Sequence, residues 1–129
     1  MLVVMLRSFA RWLRSEQLDG AVINDLVERL ERGLIDADLG GGLVKQRIAR
    51  PGQGRSGGFR TILAYRSGDR IVLFFGYAKS RRANLSKHEL QTYRLLAASY
   101  LALSLDGLRK AVRTGELIEV PYDGSSLSE

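Results

Sequence analysis

Hydrophobic positions change their period along the chain, and those changes divide it into elements. Leu2 to Leu6 is a short apolar run containing Val3 and Val4, which predicts a strand. Phe9, Trp12 and Leu13 then recur at helical spacing, with Arg7, Arg11 and Arg14 between them. This predicts an amphipathic helix with Trp12 packed in the core. Leu18-Asp19-Gly20 breaks it, and Asp19 can cap a second helix. Val22, Leu26, Val27 and Leu30 mark the buried face of that helix. Asp25 with Arg29, and Glu28 with Arg32, form i,i+4 pairs on its exposed side. Gly33 stops it. Two short helices joined by a tight break make a helical hairpin.

From Leu43 the period falls to two. The preceding stretch, Asp36 to Gly42, reads as a loop. It lacks the Gly-Lys-Ser/Thr ending of a phosphate-cradling loop, because Leu43-Val44-Lys45 follows. A strand from Leu43 to Arg50 puts Lys45 and Arg47 on one face and Val44 and Ile48 on the other. Pro51 to Gly58 reads as a mobile loop carrying Arg55. The next strand, Phe59 to Arg66, sets Arg60 and Arg66 opposite Phe59 and Leu63, and Ser67-Gly68-Asp69 turns the chain. Arg70 to Tyr77 is the most apolar run and predicts a central, buried strand.

Leu85 to Leu90 holds the clearest helix start. Ser86 and Glu89 form a capping box, and Leu85 with Leu90 can form a hydrophobic staple. That helix continues through Tyr93, Leu96, Ala97, Tyr100 and Leu101. Ser104 caps a last helix from Leu105 to Thr114, Gly115 ends it, and Leu117 to Val120 can add an edge strand. The expected fold is α+β, a small, mostly antiparallel sheet packed against an N-terminal helical hairpin and C-terminal helices. One domain of 129 residues is expected, with an ordered core over 1–120 and a tail over 121–129.

Charge changes the picture more than composition does. Between Lys45 and Arg82 there are ten Lys/Arg and a single acid, Asp69, a net +9 in a chain of net +6. The remainder therefore sums to −3, and the positive charge is concentrated on the strand block. Such a field attracts polyanions and predicts an RNA-binding surface. The chain has no cysteine, which excludes disulfides, thiolate nucleophiles and cysteine-ligated metal. Its one histidine, His88, falls in a helix first turn and reads as a solvated surface residue. The apolar start is only six residues long and Arg7 follows it, so neither a signal peptide nor a membrane span is expected.

Several stretches together resemble the RelE/HigB-type toxins of bacterial type II toxin–antitoxin systems, and most closely the HigB-like branch. They are Phe9-Ala10-Arg11-Trp12, the run from Gly33 to Lys45, the run from Arg50 to Thr61, and Gly76-Tyr77-Ala78-Lys79. The resemblance spans about residues 7 to 120. It implies a RelE-like fold and a cytoplasmic, ribosome-dependent endoribonuclease that cleaves mRNA without a cofactor or metal. It also implies a HigA-like helix-turn-helix antitoxin as partner, through which the complex binds operator DNA.

Such a reaction uses the substrate's own 2′-OH as nucleophile. The protein must then stabilise a pentavalent phosphate, take one proton and supply another. A lysine among other cations gives up its proton more readily. The expected roles are Lys45 as general base, beside Arg47 and opposite Arg60, and Arg47 and Arg60 as phosphate clamps. Lys79 or Arg81 would assist at the leaving oxygen. Arg50, Arg55, Arg66 and Arg82 would contact RNA, and Tyr65 and Tyr77 are candidates for stacking on an unpaired base or for sheet packing. This chain departs from relatives that carry arginine directly after the lysine of the fourth strand, since Ser80 stands there with Arg81 and Arg82 beyond it. It also lacks their tyrosine near the last helix start or C-terminus, Tyr122 being a poor substitute, so the proton donor stays open. Two other readings remain: a toxin of the same fold that binds a protein target, as ParE-type gyrase poisons do, and a non-catalytic RNA-binding module.

Overall fold

The computed structural model describes the backbone of residues 1–50 and 54–122, and the side chains of all of these except 49–50 and 54–57. The elements run β1 (Leu2–Leu6), α1 (Arg7–Ser15), α2 (Gly20–Glu31), β2 (Ala37–Gly40), β3 (Leu43–Arg50), β4 (Gly54–Arg66), β5 (Arg70–Ala78), α3 (Lys87–Ala102), α4 (Leu105–Arg113) and β6 (Leu117–Glu119). The strands form one sheet in the order β2-β3-β4-β5-β1-β6. Every neighbouring pair is antiparallel except β1 with β5. The fold is α+β, as the pattern predicts, and β5 lies inside the sheet with eight of its nine residues buried.

Alternation along the strands builds two cores, one on each face. Val3, Val44, Ile48, Phe59, Leu63, Ile71 and Leu73 meet Phe9 and Leu13 of α1 and Ile23, Leu26, Val27 and Leu30 of α2. Leu2, Val4, Leu43, Ile62, Ala64, Val72 and Phe74 meet Ala97 and Tyr100 of α3 and Leu108 and Ala111 of α4. Each fully buried Leu, Ile or Phe contributes about 1.5–3 kcal/mol, so helices this short are held by the sheet rather than by their own propensity. Their ends follow local chemistry. Asp19 accepts from the Ala21 N–H, Ser104 accepts from the Gly107 N–H, and Ser86 with Glu89 forms the full capping box.

Three departures from expectation matter for the site. First, the stretch read as a loop from Asp36 contains β2, which pairs with β3 across a turn at Gly41-Gly42. Both glycines have positive φ, which is why the run looks like a loop in composition. Second, β4 begins at Gly54 and not at Phe59, because Arg50 already pairs with Gly54 across a register shift. Gly and Ser have low strand propensity, but the ladder to β3 recruits them. Third, the β4–β5 register shifts between Ile62 and Leu63, leaving Phe74 as an extra residue in β5. Phe74 and Phe75 therefore both face the α3 side.

Trp12 lies on the opposite side. It packs edge-on to Phe59 at 5.3 Å and against Phe9 at 5.4 Å. Its ring covers Gly76, where an added Cβ would stand well inside 3.0 Å of three ring atoms. Gly76→Ala must displace the indole or the strand, and overpacking of this kind costs about 1–3 kcal/mol. Trp12 is the only tryptophan, so its fluorescence reports unfolding directly. The urea midpoint should fall, and an unchanged midpoint would refute the close approach. Among the described residues, no helix is long and apolar enough to cross a membrane.

Candidate nucleic-acid interface

The candidate site lies on the α3-facing side of the sheet, at the end of β3–β4–β5 nearest residues 45–48, 59–60 and 77–79. Arg47 and Arg60 are cross-strand partners, and Arg60 is opposite Tyr77 on its other side. Lys45 is opposite Ile62, so it is the diagonal neighbour of Arg60 and not its direct partner. The expectation that Lys45 faces Arg60 directly is corrected by one pairing step. All three cations nonetheless issue from one face, since the period of two places residues 45, 47, 60, 62, 75 and 77 together.

Two residues that the sequence did not mark as site residues hold this cluster. Asn84 Oδ1 accepts from Lys45 Nζ at 3.0 Å. Asp36 takes the Arg47 backbone N–H at 2.7 Å on one oxygen and Arg47 Nη2 at 3.1 Å on the other. Partial burial works against the Asp36 carboxylate, but the hydrogen bonds from Arg47 and the charges of Arg47 and Arg29 outweigh it. Its pKa falls below the ordinary value. Arg29 is itself a correction. Its pair with Asp25 is present at 3.2 Å, but the side chain is only 10% exposed and turns inward. There it donates to the Arg47 carbonyl and stands 3.6 Å from Asp36. A buried guanidinium with two hydrogen-bond acceptors and the Asp36 charge beside it pins α2, the β2 approach and β3 together.

The segment between β5 and α3 folds over the same face. Lys79 and Arg81 are exposed in the turn that follows β5, tied through the Lys79 N–H to the Gly58 carbonyl and the Arg81 N–H to the Ala78 carbonyl. Arg82 points back over Phe75 and Tyr77, its guanidinium carbon 5.7 and 5.5 Å from the two ring centroids. Both of its terminal nitrogens donate to Glu89, Nη1 at 3.0 Å. Glu89 also accepts from the Ser86 N–H at 2.9 Å. The hydrogen bonds from Arg82 and Ser86 bring the Glu89 carboxyl down to about 2. Tyr93, one turn further along α3, stacks on Phe75 at 5.7 Å and on Phe74 at 6.1 Å. Burial raises the Tyr77 pKa, while the charges of Arg60 and Arg82 pull it the other way.

Other expected site residues lie elsewhere. Tyr65 is on the opposite face, where its hydroxyl donates to Glu31 Oε2 at 2.7 Å and lies 3.0 Å from the Leu30 carbonyl. It staples α2 to the β4–β5 turn and cannot stack on a base bound near Arg60. Tyr77 is 5% exposed and covered by Arg82, so of its two readings the sheet-packing one holds. Arg66 sits at the far end of β4 and donates to the Leu101 carbonyl at 2.7 Å. Arg70 is buried and donates to the Tyr100 and Leu103 carbonyls and to Asp69. The basic block therefore divides. Arg66 and Arg70 serve the α3 C-terminus, where cations satisfy orphan carbonyls. Lys45, Arg47, Arg60 and Arg82 converge on the site. The side chains of Arg50 and Arg55 lie outside the described residues. Among the described residues, no three of His, Cys, Asp and Glu come together as metal ligands.

The signals for the missed residues were partly present. Asn84 immediately precedes the helix-start motif, and Glu89 is recognisable as a capping residue but not as an arginine clamp. Asp36 is the first residue of a run read as loop.

No curated protein matches the chain. A family model described as the RelE toxin of the RelE/RelB toxin–antitoxin system matches residues 1–120, nearly the whole of the chain that carries the sheet, both cores and the basic cluster. The chain belongs to the RelE toxin family, and an antitoxin is its implied partner.

Proposed function

We propose that this toxin is an endoribonuclease that cleaves mRNA at the ribosome and thereby inhibits translation. The observation that carries the reading is the convergence of Lys45, Arg47, Arg60 and Arg82 on one end of one sheet face. In the proposed reaction the substrate 2′-OH attacks its own phosphate. The 2′-O–P bond forms, the P–O5′ bond breaks, and a 2′,3′-cyclic phosphate is left. Lys45 takes the 2′-OH proton as general base, and Asn84 holds its side chain in place. Arg60 and Arg47 stabilise the extra negative charge on the pentavalent phosphorus. Asp36 fixes the direction of the Arg47 fork, a geometry suited to phosphate. Lys79 or Arg81, in the turn beyond β5, stabilises the charge developing on the leaving 5′-oxygen, which takes its proton from the Lys79 ammonium or from water.

The same reading places the toxin in the HigB-like branch and in the cytoplasm. Its antitoxin is then a HigA-like helix-turn-helix protein that binds operator DNA when complexed. Phosphate contacts release counterions, so RNA affinity should fall steeply as salt rises. Filter binding of a single-stranded RNA across a salt series measures this. A flat response would argue for a protein target instead.

A further inference from the structure

We propose that the Arg82 guanidinium is the stacking surface for an unpaired RNA base, and that Glu89 is the residue that positions it. This deepens the RNA-cleaving reading and rests on it. Of the two tyrosines the sequence offers for stacking, Tyr65 is on the wrong face and Tyr77 is covered. What covers Tyr77 is a flat cation. The two-pronged contact with Glu89 fixes the rotation of the guanidinium plane, and the rings of Phe75 and Tyr77 back one side of it. The Arg82 side chain keeps 32% of its surface exposed, and a base would stack on the side that the rings leave open.

Glu89 is well suited to hold the plane still. It is anchored in the first turn of α3 by the Ser86 N–H, and Tyr93 on the next turn packs against the same Phe75. Arginine planes stack on nucleobases as aromatic rings do, and lysine has no plane to offer. Stacking tolerates every base, because each has a π-face, so this subsite would hold a nucleotide without choosing its identity. Its location fits a base next to the reacting phosphate, since Arg60 is the cross-strand partner of Tyr77 and Arg82 rests on the Tyr77 ring.

The test uses a short single-stranded RNA with 2′-O-methyl riboses, which lacks the nucleophile and stays intact. The same RNA is then made with one abasic nucleotide moved along it. Wild-type protein should lose about tenfold in affinity when the abasic position meets Arg82. Arg82→Lys keeps the charge and should bind the full and the abasic RNA equally. Glu89→Gln keeps an acceptor for the Ser86 N–H, so α3 still starts normally, and it should shrink the abasic penalty to an intermediate value. A purely structural role would weaken all RNAs alike and leave the penalty in place, which would overturn the proposal. So would a wild type that binds RNA with no abasic penalty anywhere. A wild type that binds no RNA overturns the RNA reading itself and this inference with it.

Discussion

Replacing Arg60 by alanine should lower the rate of RNA cleavage by about 10²–10³-fold, the usual loss when one transition-state donor is removed. Arg60 is the centre of the cluster. Its cross-strand partners are Arg47 on one side and Tyr77 on the other, and Lys45 is its diagonal neighbour. A guanidinium at that point can reach a phosphate held by any of them. The fold should survive, because Arg60 is only partly buried and the cores on both faces do not use it. Antitoxin binding and ribosome association should therefore remain measurable while single-turnover cleavage collapses. Arg66→Ala provides the contrast. Arg66 belongs to the same basic block by sequence, but its hydrogen bond goes to the end of α3. Equal losses from the two substitutions would mean that the cluster around Arg60 is not the reacting centre.

Removing Arg70 should have the opposite signature, a large loss of stability with little loss of activity per folded molecule. Its side chain is 3% exposed and satisfies the Tyr100 and Leu103 carbonyls at the C-terminal end of α3. Arg70→Ala takes this donor from the buried Tyr100 carbonyl and from the part-buried Leu103 carbonyl, at about 1–3 kcal/mol for the buried one and less for the other, which water can reach. It also opens a cavity under α3. A combined loss of about 3 kcal/mol is a large part of the stability of a domain this size. Chemical denaturation followed by Trp12 fluorescence measures it. A midpoint close to wild type, or normal stability with cleavage lost, would place Arg70 in the functional surface instead.

The contrast between Arg60 and Arg70 shows where the sequence was legible. Local signals were reliable. The Asp19 and Ser104 caps, the Ser86–Glu89 box, the alternation through β3 and the apolar run of β5 all act over a few residues, and each led to the right element. Net charge over residues 45–82 pointed to the strands that carry the basic cluster, but charge counting cannot say where a guanidinium ends. Arg70 and Arg66 found helix carbonyls that lie about 30 residues later. Arg29 looked like half of a surface pair and is in fact buried between β3 and Asp36. These outcomes depend on tertiary placement, which periodicity does not contain.

The candidate site was legible in its cations and not in what holds them. Lys45 and Asn84 are 39 positions apart, and Asp36 lay in a run whose glycines hid β2. The register shift in β5 is the subtlest case. A strict period of two would send Phe74 and Phe75 to opposite faces, whereas both face α3 and provide the platform on which Tyr93 stacks. Arg82 then rests on Phe75 and Tyr77 through a contact that no sequence motif announces.

In the proposed reaction, RNA cleavage is carried by the Lys45–Arg60 cluster. The measurement that tests it most directly is cleavage mapping on a defined mRNA, with and without translating ribosomes, for wild type and Lys45→Ala. The expected result is a set of cuts that require the ribosome and vanish in the variant. Intact RNA in every lane, from a wild-type protein that still arrests growth, would contradict it and make the basic face a docking surface for a protein target.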